Sequence, residues 1–139
     1  MTGIIMFFAA LLMLGIGYPV PYLGGVRRNA RRTVALMPAA QGAEPWPAEG
    51  TVLSALGEDT RLPFMDAVFD RVLLVHAIEE ASEPHAMLRE IWRVMAPEGR
   101  LVANAPNRWS LWAQSGATPF GQGRPYSRTQ LATLLGDAM

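Results

Sequence analysis

Apolar and turn-forming stretches alternate along this chain in short blocks. The apolar blocks Ala9 to Leu14, Thr33 to Met37, Thr51 to Ser54, Asp70 to Val75 and Arg100 to Ala103 have strand length and predict five β-strands. The first is apolar throughout, as expected of a central parallel strand covered on both faces. From Pro84 to Met95 the period changes. Met87, Leu88, Ile91, Val94 and Met95 fall on one stripe at helical spacing. Pro84 suits a first helical turn, Ser82 or Glu83 can cap it, and Pro97-Glu98-Gly99 stops it. A final helix opens at Ser127, read as its N-cap, and buries Leu131, Leu134 and Leu135. Between these elements lie a glycine-rich turn from Gly15 to Leu23, a proline-containing loop from Pro38 to Gly50, and a long loop from Ala105 to Ser127. Strands and helices in this order predict an α/β fold with a mainly parallel sheet.

The chain has 139 residues, half of them hydrophobic, which fits one domain over residues 1–139. Its formal net charge is zero, so a nucleic-acid partner is not expected. With no cysteine and two histidines, disulfides, thiolate chemistry and a metal site are not expected. The N-terminus allows two readings. No charged residue precedes Arg27, and Arg27, Arg28, Arg31 and Arg32 then follow closely. One reading is the buried first strand of a cytoplasmic protein. The other is a small membrane-anchored protein that uses residues 3–18 as a helix.

Candidate chemistry gathers where strands end, the place where open parallel sheets bind ligands. Gly15 and Gly17 follow the first strand, in Leu14-Gly15-Ile16-Gly17-Tyr18. Such a pair suits either an ordinary turn or a close backbone approach to a cofactor. Glu58 and Asp59 follow the third strand, and His76-Ala-Ile-Glu79-Glu80 follows the fourth. Asn107, Arg108, Arg124 and Tyr126 lie in the loop after the fifth and suit a polar or anionic substrate.

The wording from Leu62 to Leu101 is more specific than these placements. Leu62-Pro-Phe64-Met-Asp66-Ala-Val-Phe69-Asp70-Arg-Val72 leads to His76-Ala-Ile-Glu79, then to a helix ending Arg93-Val-Met-Ala-Pro97-Glu98-Gly99. This resembles class I S-adenosylmethionine-dependent methyltransferases of the type 11 family. Their pattern there is close to LPF-x-D-x-x-FD-x-V, H-x-x-E, and R-V-L-x-P-G-G. The resemblance implies a Rossmann-like sheet in the order 3-2-1-4-5, without the C-terminal hairpin strands of the full fold. It implies S-adenosylmethionine as cofactor and methyl transfer to an unidentified acceptor. Gly15, Gly17 and Tyr18 would approach the cofactor, Glu58 or its neighbour Asp59 would read adenine, and His76 would line the pocket. Asn107, Arg108, Arg124 and Tyr126 would face the substrate. No catalytic residue is implied. Strand five would be an exposed edge, where a second copy can pair to give a homodimer.

This chain departs from the pattern at four places. A third glycine is missing after Gly17, and no acid follows the second strand, where Met37-Pro38-Ala39-Ala40-Gln41 stands. Gln41 or Glu44 would have to serve instead. Glu80 replaces a histidine, and Glu98 replaces a glycine. The departures suit a second class of function, a binding or scaffold protein that keeps the methyltransferase core without turnover.

Overall fold

A computed structural model of the chain describes residues 12–17, 19, 23–24, 28, 30–39, 44–104 and 126–139. Strands β1 (Leu12–Gly17), β2 (Arg32–Pro38), β3 (Ser54–Gly57), β4 (Phe69–Val75) and β5 (Met95–Asn104) form one parallel sheet. Its order is β3-β2-β1-β4-β5, as the resemblance implies. Helices α1 (Pro84–Val94) and α2 (Arg128–Ala138) pack against this sheet. Both were expected, and α2 carries a full capping box. The Ser127 hydroxyl accepts from the Gln130 N–H at 3.1 Å, and the Gln130 side chain accepts from the Ser127 N–H at 3.0 Å. Helix α1 has Glu83 at its N-cap without a side-chain cap bond, so Pro84 alone supplies its start signal.

The helical stripe is the core. Met87, Leu88, Ile91 and Val94 are fully buried against Leu14, Ile16, Leu36, Val72 and Leu74 of the sheet. Leu134 and Ala138 of α2 join the same cluster. The opposite face of the sheet is covered by Leu23 and Trp46, packed on Ala35.

Three elements differ from the sequence expectation. β1 runs on to Gly17, three residues beyond the expected Leu14, so Gly15 lies inside it, paired with Ala35 and Leu73. A Cβ on Gly15 would stand 2.7 Å from Pro19 Cβ and 2.9 Å from Leu23 Cδ1. Glycine there serves the packing of the following segment on the strand, and it does not break the ladder. β3 begins at Ser54, where Thr51 to Ser54 was expected. Leu53 N–H bonds the Trp46 carbonyl at 2.6 Å, and Ser54 Oγ accepts from Trp46 N–H at 3.0 Å. These bonds hold the approach to the strand as a connection. β5 begins directly after α1. Phe69 pairs with Met95 and Arg71 with Arg100, so two steps on β4 face five on β5. The Pro97-Glu98-Gly99 stop is the looped excess, with Glu98 at φ +63°.

Leu12–Gly17 forms the central strand, bonded on both sides, and this replaces the helical reading of those residues within the run 3–18. The rest of that run lies outside the described residues. Among the described residues no helix is long and apolar enough to cross a membrane.

The segment before β4 is tied to α1 by Arg93. Its Nε and Nη2 donate to the two Glu90 oxygens at 2.8 and 2.9 Å. Nη1 donates to the Phe64 carbonyl at 2.9 Å and to Asp66 at 2.7 Å, and Nη2 donates to the Leu62 carbonyl at 3.0 Å. All five guanidinium N–H groups are used. Glu90 also accepts the Leu62 N–H at 2.8 Å, and its bond to Arg93 holds its carboxyl below the usual range. Phe64 meets Phe69 edge to face at 4.9 Å, and Asp70 accepts the first N–H of β1, from Leu12, at 2.9 Å.

Candidate functional site

Parallel pairing brings the carboxyl ends of all five strands to one edge of the sheet. The order reverses between β1 and β4, which makes the crevice beside β1 the expected ligand site. A cleft of about 260 Å³ opens at that edge. Ala39, Glu58 and Asp59 line it from the ends of β2 and β3, and Ala77, Glu80 and Ser82 line it from the segment after β4.

The acid pair is held by a tight turn. Glu58 and Arg61 form an isolated bridge, with Arg61 N–H donating to the Glu58 carbonyl at 3.4 Å. Burial raises the Asp59 carboxyl above its ordinary range, against the pull of its own N–H and that of Thr60; Glu83 and Glu58 add a smaller push upward.

Gly17 ends β1 with φ +96°, a conformation that side chains rarely adopt. A Cβ there would stand 2.3 Å from the Val75 carbonyl oxygen and 2.8 Å from Ala77 Cβ. The bare backbone therefore lets the ends of β1 and β4 close up beside the cleft. Gly15, two residues back along the strand, instead meets Pro19 and Leu23.

His76 leaves β4 with φ +52°, and its N–H donates to the Asn104 carbonyl at 3.1 Å, tying the ends of β4 and β5 together. Its side chain is not on the cleft wall. Nδ1 lies 2.8 Å from Glu79 Oε1, and the Glu79 side chain is 1% exposed. Glu79 Oε2 is buried with no hydrogen-bond partner among the described residues. Burial pushes the Glu79 carboxyl up, and its own N–H and the His76 bond offset part of that push.

The upward shift sets a pH dependence. The folded chain holds the Glu79 proton where the unfolded chain, near 4.5, has released it. That contribution to stability is complete below pH 4.5 and is lost as pH rises through the raised value. Glu79→Gln is expected to flatten this slope, read as the difference in denaturation midpoint between variant and parent at each pH upward from 4.5. Equal slopes in the two proteins would rule out a proton on Glu79.

A second hollow of about 500 Å³ lies between the end of β5 and the start of α2. Asn104, Tyr126, Arg128 and Leu131 line it. The structure thus brings Glu58 and Asp59 to one crevice, sets Gly17 against Ala77 of its wall, and sets Tyr126 in a second hollow. Tyr18, Asn107, Arg108 and Arg124 lie outside the described residues. Sequence reasoning missed Ser82 and Arg128 as lining residues, and Glu79 as the buried partner of His76. Only the i,i+3 spacing of His76 and Glu79 could have signalled the last.

A family of methyltransferase domains matches residues 15–103, which is more than half of the chain. The chain belongs to the type 11 methyltransferase-domain family. Among curated relatives, the demethylmenaquinone methyltransferase of Mycolicibacterium paratuberculosis is 48% identical over 46 residues. Those residues are 33% of this chain and 20% of that protein, so the match spans only about a fifth of the relative's length. The corresponding enzyme of Mycobacterium marinum is 44% identical over 54 residues, 39% of this chain and 23% of its own. Among solved structures, an S-adenosylmethionine-dependent methyltransferase of Thermotoga maritima, a possible histamine N-methyltransferase, superposes with a TM-score of 0.70. It is 18% identical, and the alignment covers 99% of this chain and 67% of that one. The fold of this type 11 domain is therefore that of a methyltransferase.

Proposed function

We propose that this domain binds S-adenosylmethionine in the cleft beside Gly17 and serves methyl transfer to an acceptor still to be identified. The observation that carries the reading is the acid pair Glu58 and Asp59 on a cleft at the carboxyl ends of β2 and β3. An adenosine has hydrogen-bond donors for such acids, and small residues leave it room: Ala39 and Gly57 on one wall, Ala77 on the other. The residues present fit the adenine end of the cofactor. Bound S-adenosylmethionine would supply an electrophilic methyl group on a sulfonium. Glu58 would hold the adenine amino group, and the backbone at Gly17 would lie against the rest of the ligand. The task left to the chain is alignment, since in-line displacement draws much of its rate from positioning. The His76–Glu79 pair would keep the β4 end in place. The hollow at Asn104, Tyr126 and Arg128 would admit the acceptor. Demethylmenaquinone, named for the relatives above, is the first acceptor to try.

Calorimetric titration of the chain with S-adenosylmethionine and S-adenosylhomocysteine tests the reading. Micromolar binding, about 8 kcal/mol, is the expected result. A folded chain that binds neither would overturn it. Given binding, Glu58→Ala is expected to weaken it by about 1–3 kcal/mol, the loss of one acceptor for a buried donor. An unchanged Kd for that variant would remove Glu58 from the site.

A second reading has its own observation. β2 ends at Pro38 and is followed by Ala39, and among the described residues its end places no carboxylate on the cleft where ribose hydroxyls would seek one. That favours a scaffold which keeps the methyltransferase core without turnover. The same titration separates the two readings, because a scaffold of this kind gives no heat with either ligand.

A further inference from the structure

Of the arginines that follow the apolar N-terminal run, Arg31 and Arg32 are absent from the cleft wall and stand at the opposite end of β2. The strand has seven residues, so the two ends are about 20 Å apart. A cavity of about 450 Å³ lies there, lined by Arg31, Arg32, Thr33 and Val34 from the start of β2 and by Thr51 and Leu53 from the approach to β3. Both guanidiniums are exposed, and no ion pair or hydrogen bond ties either of them among the described residues. Asp70, two strands away, is already engaged by the Leu12 N–H.

Thr33 supplies an independent observation. It is 3% exposed, it lines the same cavity, and its hydroxyl has no hydrogen-bond partner among the described residues. A buried hydroxyl left unpaired is costly, and such groups in native proteins are usually satisfied. A ligand with acceptor oxygens would satisfy it and would meet two free guanidinium forks in the same space. Arginine forks match tetrahedral oxyanions in charge and in geometry.

We propose that this cavity binds a phosphoryl group through Arg31, Arg32 and the Thr33 hydroxyl. The group could be carried on a soluble phosphate ester or on an anionic lipid headgroup, and the chemistry at the site is the same. The site is separate from the cleft, and it stands or falls independently of cofactor binding.

The test uses the full 139-residue chain. Inorganic pyrophosphate is titrated against the melting temperature, with potassium chloride at matched ionic strength as control. Sedimentation with phosphatidylglycerol vesicles, against phosphatidylcholine vesicles, forms the second arm. A saturable rise in melting temperature with pyrophosphate, or selective sedimentation with phosphatidylglycerol, is expected, and Arg31→Gln/Arg32→Gln should abolish it. The arm that responds identifies the source. Thr33→Val, which keeps the shape, is expected to melt no lower than the parent yet to bind several-fold more weakly. No response in either arm would overturn the proposal. So would a response that the chloride control reproduces, or one that survives in the double variant. Unchanged affinity in Thr33→Val would remove the hydroxyl, and with it the built site.

Discussion

Gly17→Ala is expected to destabilise the chain by about 2–4 kcal/mol and to abolish binding at the cleft. Two independent causes add. A non-glycine residue held at positive φ outside the favoured region costs about 1–3 kcal/mol, and Gly17 sits at φ +96°. The new methyl would also meet the Val75 carbonyl oxygen at 2.3 Å, where the listener on the other side is backbone in a paired strand. Backbone cannot rotate aside as a side chain can, so the ends of β1 and β4 must part. Urea denaturation reads the first consequence as a lower midpoint at unchanged slope. Titration with S-adenosylmethionine, under conditions where the variant is still folded, reads the second. An unfolding free energy within about 0.5 kcal/mol of the parent would contradict the geometry.

Ile91→Ala is expected to cost about 2–5 kcal/mol, the range for truncating a fully buried aliphatic side chain. Ile91 is 0% exposed in the middle of the α1 stripe, between the helix and the sheet. Domains of this size are stable by only about 5–15 kcal/mol, so the loss removes a large part of the whole. Its neighbour Trp92 is 57% exposed, and Trp92→Ala is expected to stay within about 0.5 kcal/mol despite the larger side chain removed. The pair separates burial from size. Equal losses at the two positions would mean that the helical face has been assigned wrongly. Cofactor affinity measured on folded Ile91→Ala should match the parent, because the helix carries no residue of the cleft wall.

The contrast between these two positions also shows which parts of the molecule could be read in advance. α1 was legible because its period is local. Five apolar residues on one stripe mark a buried face whatever surrounds it, and the structure buries Met87, Leu88, Ile91 and Val94 there. β4 was legible for the same reason, with turn residues at both ends. The strand order came from the resemblance to a family, since nothing in a single period says which strands are neighbours. β1 was misplaced because Gly15 reads locally as a breaker. Its role depends on Pro19 and Leu23 packing over it, a tertiary cause. β3 was misplaced because Val52 and Leu53 have strand character, while Trp46 captures the Leu53 N–H. At the site, Glu58 and Asp59 could be placed by their position after a strand. The His76–Glu79 contact needed the left-handed turn at His76, which a sequence with no glycine there does not announce.

Arg93 and its partners carry a broader consequence. The residues that make this chain recognisable, Leu62, Phe64, Asp66, Phe69, Asp70 and Arg93, are the ones that fasten a loop and a helix to the sheet. None of them lies on the cleft wall. The signature therefore records how the domain is assembled, a demand that holds whether or not the cleft turns over a substrate. Lineages that drift away from turnover should keep these six positions longest, while the residues around Glu58 and Ala39 change first. Kinship read from that signature reports shared architecture, and the chemistry of each descendant is written elsewhere, on the rim of the sheet.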